Sequence, residues 1–514
     1  MFSKVKSCAV HGVDGRMIDV EADVNDGLPV FTMVGYLSSS VREASERVRT
    51  ALKNSGFHLP PKRITINLSP ADMRKDGSGY DLAIATAVLL SLGVTAELPM
   101  EQTLVLGELS LDGSIKAIPG VLPMVICARE EGMTSCIVPK ENVQEAALVQ
   151  GISVIGVSSL QETMEYIQGI KEYKNTNVEQ PAVDTSEYLY DIDFSDVVGQ
   201  ESIKRGMEIA AAGFHNVLLT GAAGAGKSML AKRLPTILPQ MSFEESLEVT
   251  KIYSVGGMLP PEGGLIHRRP FRAPHHTISE YALIGGGRVP TPGEVSFAHY
   301  GVLFLDELPE FSKPVLEVLR QPLEDRRIRI SRVQASYDFP ADFMFVAAMN
   351  PCPCGNYPDY RRCSCTEQQI RRYQSKVSGP LLDRIDIRME VKGVKQEALF
   401  SKQKTESSKT IRARVEQARQ MQKERFAGTG LLFNSQLDGK NLEEYITLSE
   451  EGKRLVLQLF EEQELSVRGV HRVLKLARTI ADLTGSEEIE HAHLQEAAFY
   501  RNQDVFAKEV LYGN

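Results

Sequence analysis

A chain of 514 residues is too long for one core and implies about two to four domains, while 42% hydrophobic and 24% charged content are ordinary globular values. The net charge of −9 argues against a generally basic protein that coats nucleic acid, though not against a locally basic channel. No run of about 18 apolar residues occurs, and the opening "MFSKVKSCAVHGVDG" has no apolar signal core. A soluble, cytoplasmic protein with no membrane partner is therefore expected, its cysteines serving as thiols or metal ligands.

Residues 1–170 alternate strand-like and helix-like stretches. "RITINLSP" and "TLVLGELSLDG" read as strands, whereas "VREASERVRTALKNSG" and "GYDLAIATAVLLSLG" carry helical apolar spacing and each close on glycine. Residues 171–193 are polar without a sustained period and read as a linker. A second α/β region follows over 194–393, then a polar stretch, "KQKTESSK", and a helical region within 394–514.

The second region opens on "VLLTGAAGAGKSML", an apolar strand, a G-x-x-x-x-G-K-S loop and a helix. Gly221, Gly224 and Gly226 allow backbone N–H groups to turn inward around phosphates. Lys227 would reach the β- and γ-phosphates and the Ser228 hydroxyl would ligate Mg²⁺, so ATP is the expected cofactor. Further on, "GVLFLDELPEF" is a buried strand ending in two acids: Asp306 to hold the Mg²⁺ hydration shell, Glu307 to polarise the attacking water. "FMFVAAMNP" is another strand, tipped by Asn350, which would orient the same water. Directly after it, in a loop over 350–366, Cys352, Cys354, Cys363 and Cys365 form C-x-C-x8-C-x-C. Four thiolates could close that loop around a structural Zn²⁺, the alternative being four free thiols.

The phosphate loop, the D-E strand, the Asn-tipped strand, "GPLLDRIDI" and the helical C-terminal region resemble an AAA+ ATPase. "FSDVVGQESIKRGMEIAAAGFHNVLLTG" and "RPFRAPHHTIS" resemble the ComM (YifB) type of its magnesium-chelatase-like branch, across essentially the whole chain. The resemblance implies an α/β P-loop domain with a C-terminal helical lid. It places Arg384 at the arginine-finger position and Arg468 at the lid position called sensor 2, and puts Val198 and Gly199 of "DVVGQ" in the adenine pocket. It also implies a ring, expected to be a homohexamer, because the finger acts on the neighbouring subunit's nucleotide.

Two insertions bear on the substrate. "GGLIHRRPFRAPHHTISEYALIGGG" resembles the helix-2 insert of related motors, and its flanking Gly and Pro suggest an exposed loop offering Arg269 and Arg272 to DNA. "EDRRIRISRVQASYDFPADFMFV" alternates as a hairpin, resembling the pore-lining hairpin of those relatives, with Arg326, Arg327, Arg329 and Arg332 placed for phosphate contact. In residues 1–170, "DMRKDGSGYDLAIATAVL" and "GELSLDGSIKAIPGVLPM" resemble the Lon-protease-type α+β domain. The positions of that fold's serine and lysine fall here on Gly79 and Leu122, with Ser78 one residue off, so the dyad is absent and peptidase activity is not expected. The function implied is a ring-shaped, ATP-driven translocase or helicase on branched or single-stranded DNA, as in branch migration during natural transformation. A MoxR-like protein-remodelling ATPase and a magnesium-chelatase motor subunit are the alternatives.

Overall fold

The structure is a computed structural model that describes residues 1–171, 190–260, 264–332, 335–393, 405–462 and 465–501. Most of the expected linker, and the first residues of the C-terminal region, lie outside the described residues.

Seven strands make a first, mixed sheet: β1 (Phe2–His11), β2 (Asp14–Asn25), β3 (Phe31–Val34), β4 (Arg63–Ser69), β5 (Thr103–Val105), β6 (Ser135–Pro139) and β7 (Ser153–Val157). Their order is β3-β4-β2-β1-β5-β6-β7, with β2 antiparallel to both neighbours and the remaining pairs parallel. Ile18, Val20, Ala22 and Val24 alternate along β2 onto one buried face, where α1 (Asp81–Ser91) packs. After Asp81 this helix carries no charge, so nearly its whole circumference can be buried. A separate core holds α2 (Val121–Glu130) with Cys8 and Leu104.

A second sheet of five strands is wholly parallel: β8 (Val217–Thr220), β9 (Phe271–Arg272), β10 (Val302–Leu305), β13 (Met344–Met349) and β14 (Ile387–Glu390), in the order β9-β10-β13-β8-β14. Between β10 and β13 in the chain lies the antiparallel hairpin β11 (Arg327–Ser331) and β12 (Ser336–Pro340). Strands β8, β10 and β13 are fully buried, as expected for a parallel sheet covered on both faces. One face carries α3 (Glu201–Gly213) and the helices α6 (Ser408–Arg425) and α7 (Val467–Thr484). The other carries the hairpin's Ile328, Ile330 and Phe339.

The strand order positions the site. Strand β13 lies between β8, which leads into the phosphate loop, and β10, which leads into Asp306 and Glu307, so Asn350 emerges between them at the carboxyl end of the sheet. The segment expected to be an exposed loop differs at β9: Phe271 and Arg272 pair in parallel with Val302 and Leu303 and form the sheet's edge. Two residues are too short for any periodicity to register in the sequence.

Candidate functional site

The phosphate loop joins β8 to α4 (Lys227–Arg233), whose N-cap is Gly226. Gly224 and Gly226 have φ of +77° and +93°, the left-handed region that L side chains rarely adopt. Gly221 is required for a different reason: a Cβ there would stand 2.2 Å from the Val391 carbonyl oxygen. Lys227 Nζ donates to Gly221 O at 2.7 Å, Ala222 O at 2.9 Å and Asn350 Oδ1 at 3.0 Å. Burial lowers the pKa of this ammonium, while Asp306 and Glu307 act in the opposite sense.

Ser228 Oγ donates to Asp306 Oδ2 at 2.5 Å, and the second oxygen of Asp306 accepts from Glu307 N at 2.9 Å. Glu307 holds φ +52°, an uncommon conformation for a non-glycine residue. Thus direct hydrogen bonds join Lys227 to Asn350 and Ser228 to Asp306, with Glu307 next in the chain. The positive-φ glycines and the hydroxyl–carboxylate pair suit a phosphate-bound Mg²⁺, which takes oxygen ligands. Gly199 has φ +65°, and beside it Gln200 begins α3 and donates from Nε2 to Lys392 O at 2.5 Å. Val198 is partly buried in the same segment.

Arg384 and Arg468 come together elsewhere. Both contact Glu324: Arg384 by an ion pair and a hydrogen bond, Arg468 at 3.5 Å. Arg384 first, then Arg468, holds the Glu324 carboxyl below its usual pKa. The two arginines line a cavity of about 270 Å³ whose walls include none of residues 221–228. Arg384 Nε is buried without a hydrogen-bond partner among the described residues. Sequence reading missed Glu324 and also Asn216, which ties three elements together. Its backbone N–H donates to Asp386, its side-chain amide to Arg384 O at 2.9 Å, and its Oδ1 accepts from Phe345 N at 2.9 Å. The "HN" before the β8 strand is the only local trace of this clamp.

The four cysteines of the loop converge. Sγ–Sγ distances are 3.4 Å for Cys352–Cys354, 3.5 Å for Cys354–Cys363 and 3.7 Å for Cys352–Cys363, and with Cys365 all four sulfurs lie within 4.8 Å of one another. Sulfurs at about 2.3 Å from a tetrahedral zinc stand about 3.8 Å apart, against about 2.05 Å in a disulfide. The cluster could hold a metal.

The arginines expected to meet DNA divide into two sets. Arg269 is a correction to the exposed-loop expectation. It is buried, donating to Pro239 O at 2.6 Å and Tyr300 O at 2.8 Å and pairing with Glu245 at 3.2 Å, so its guanidinium is committed to the interior. Arg272 is partly buried and makes a two-point pair with Glu294, at 2.6 and 2.7 Å. Arg326 precedes the hairpin at φ +55° and contacts Asp342 at 3.8 Å and Ser435 O at 3.4 Å. Arg327, Arg329 and Arg332 are exposed, Arg329 pairing across the ribbon with Asp338 at 2.8 Å and Arg332 donating to Gly287 O at 3.2 Å. In the first sheet's region, Ser78 bonds to Glu108, and Leu122 is a fully buried core residue.

Three family descriptions match: "Magnesium chelatase, subunit ChlI" over residues 193–399, "Subunit ChlI of Mg-chelatase" over 20–142, and "Magnesium chelatase, subunit ChlI C-terminal" over 405–501. The chain is 41% identical over 503 residues to Competence protein ComM of Haemophilus influenzae, covering 97% of each chain. It is 41% identical over 504 residues to YifB of Escherichia coli, covering 98% of this chain and 97% of that protein. The chain belongs to the ComM/YifB-type, magnesium-chelatase-like family. A shorter likeness, 30% over 183 residues and 32% of each chain, is to Lon protease 2 of Bacillus subtilis. Membership in this family suggests ATPase activity, and ATP with Mg²⁺ fits it. Among the described residues, no helix is long and apolar enough to cross a membrane.

Proposed function

We propose that this chain is a cytoplasmic ATPase that assembles as a homohexameric ring. It would use ATP hydrolysis to translocate along or unwind branched or single-stranded DNA, as branch migration in natural transformation requires. Lys227 binds the β- and γ-phosphates, Ser228 and Asp306 hold Mg²⁺, Glu307 activates water and Asn350 orients it. Val198 and Gly199 line the adenine pocket. Arg384 and Arg468, which converge on Glu324 away from the phosphate loop of their own chain, reach a neighbour's nucleotide. Residues 1–170 form a Lon-protease-like domain without the catalytic dyad, 171–193 a linker, 194–393 the AAA+ domain and 394–514 a helical lid. Zinc is the metal of the cysteine cluster, whose sulfur spacing suits it.

The observation that carries the DNA reading is the hairpin. Ile328, Ile330 and Phe339 anchor it in the core shared with β10, while Arg327, Arg329 and Arg332 face outward. Strand β12 continues within a few residues into β13, which Asn350 directly follows. A cationic element is thereby joined to the strand that carries the Lys227 partner Asn350, so nucleotide state and phosphate contact can be coupled. A chelatase motor is the second reading, favoured by the magnesium-chelatase families whose patterns the chain matches. ATPase rates with forked DNA, single-stranded DNA, protoporphyrin and an unfolded protein separate the readings. Stimulation by DNA is expected; stimulation by porphyrin or unfolded protein with none by DNA would overturn the assignment.

A further inference from the structure

The loop after Asn350 has little to hold it besides its sulfurs. Between Cys354 and Cys363 it forms no helix or strand, and of its two tyrosines Tyr357 is half-buried and Tyr360 is 71% exposed. Some of its local bonds run back to the cluster, as Tyr357 N donates to Cys352 Sγ at 3.4 Å and Asn356 Nδ2 to Cys354 O at 3.3 Å, while Arg361 N and Arg362 N donate to Asp359 within the loop. A segment of this kind, with no core of its own, gains much of its order from a cross-link, because turn bonds alone offset little of its conformational entropy.

The same loop lies against the nucleotide site. Gly355 holds φ +80°, and a Cβ there would stand 3.3 Å from Ala223 N, 3.5 Å from Ala223 Cβ and 3.9 Å from Asn350 Cγ. Ala223 sits in the phosphate loop, between Ala222, which accepts from Lys227, and Gly224. Residues 356–359 also form part of the wall of a cavity of about 1060 Å³, facing Gly221, Ala222 and Val391. Pro351 O, at the loop's start, accepts from Gln374 Nε2 at 2.9 Å, which fixes one end. Turn bonds around Asp359 shape the middle, and the four-thiol cluster ties the two ends of the loop together.

We propose that metal occupancy of the Cys352–Cys354–Cys363–Cys365 cluster controls nucleotide affinity, because the metal-held loop braces the outer side of the phosphate loop at Gly355–Ala223. The proposal rests on the zinc reading above. With metal bound, the backbone amides around Ala223 are held in the geometry that accepts phosphate. Without it, the brace relaxes and the amides must be ordered at the expense of binding. No thiol changes oxidation state in this scheme; the metal only joins or leaves four thiolates.

The test uses the full chain, purified without a metal-affinity tag. Zinc per chain is measured first, then the affinity for a fluorescent ATP analogue with Mg²⁺ present. Both are repeated after stripping with a chelator that binds zinc tightly and magnesium weakly, and again after zinc is returned. About one zinc per chain is expected, since a closed site takes four ligands. Stripping should weaken nucleotide binding about tenfold, the order of one charge-assisted hydrogen bond, and returned zinc should restore it. Gly355→Ala, in protein shown to keep its zinc, should still bind nucleotide more weakly, since its Cβ would stand 3.3 Å from Ala223 N and its φ of +80° is strained for an L residue.

Unchanged affinity after stripping, or in zinc-loaded Gly355→Ala, overturns the proposal while the zinc reading stands. A loss that returned zinc does not reverse also overturns it, pointing to plain unfolding. Active protein without zinc removes both the reading and the proposal.

Discussion

Lys227 shows how a single side chain closes the site. Its ammonium faces two carbonyl oxygens of the phosphate loop and the amide oxygen of Asn350. Burial disfavours the charge and the two acids favour it, so the cation is held where an anionic ligand gains most from it. Lys227→Ala should abolish nucleotide binding. Glu307→Gln should bind nucleotide normally while turnover falls at least about 100-fold, the scale of a general base. Equilibrium binding and steady-state turnover measure the two effects, and full turnover in Glu307→Gln would remove the water-activating role. This part of the site was legible because each residue sits in a short contiguous motif. Glu324 was not, because its partner Arg384 lies 60 residues away, and the Asn216 contacts span 129 to 170 residues. No local pattern records which loop a distant amide will meet.

Among the elements, the hairpin was readable and the segment before β10 was not. Alternation in "RIRIS" gives one face to Ile328 and Ile330 and the other to arginine, and the pairing Arg329↔Asp338 follows the same period of two. Arg269 and β9 carry no such signal. A buried arginine flanked by proline reads like a surface loop until Glu245 and three carbonyls are brought to it by the fold. The consequence is a narrower basic surface than the arginine-rich segments suggested. The Arg329–Asp338 pair is half exposed on both sides and screened by solvent, so a phosphate can displace the carboxylate readily. On the proposed function, Arg327→Ala and Arg332→Ala should weaken DNA binding with basal ATPase near normal, and each should lower the slope of log K against log salt by about 0.9 on duplex DNA. Arg269→Ala should instead lose stability, leaving four acceptor groups without their donor: three carbonyls and the Glu245 carboxylate. Salt titrations and thermal unfolding separate the classes, and an unchanged slope in both hairpin variants would place the hairpin away from DNA.

Across the whole molecule, the first sheet is not a free appendage. Helix α2 packs on α5 (Phe243–Val255), and Gly120 N donates to Ser254 O at 3.0 Å. Buried Glu145 accepts from Leu122 N at 2.8 Å, from Asn142 at 3.1 Å and from the Ser254 hydroxyl, and burial raises its pKa. At the other end His11 stacks on Tyr337 of the hairpin, ring centres 4.4 Å apart. The N-terminal sheet therefore touches both the helix that follows the phosphate-loop helix and the ribbon proposed to meet DNA. Among the described residues, Lys227 is the cation bonded within the phosphate loop, while Arg384 and Arg468 are turned to Glu324. Glu324 keeps two like charges side by side, and Arg384 Nε still has no partner among the described residues. A ring supplies further cations to the nucleotide if each arginine pair exchanges Glu324 for the next subunit's phosphates, an exchange worth about 10³–10⁵ in rate for a finger of this kind. Arg384→Ala should then bind ATP and fail to hydrolyse it. Mixed with Lys227→Ala, it should regain part of the activity, because some interfaces join an intact phosphate loop to an intact finger. ATPase assays on rings shown to contain both variants decide the point: no recovery there would mean that Arg384 acts within its own chain or not at all.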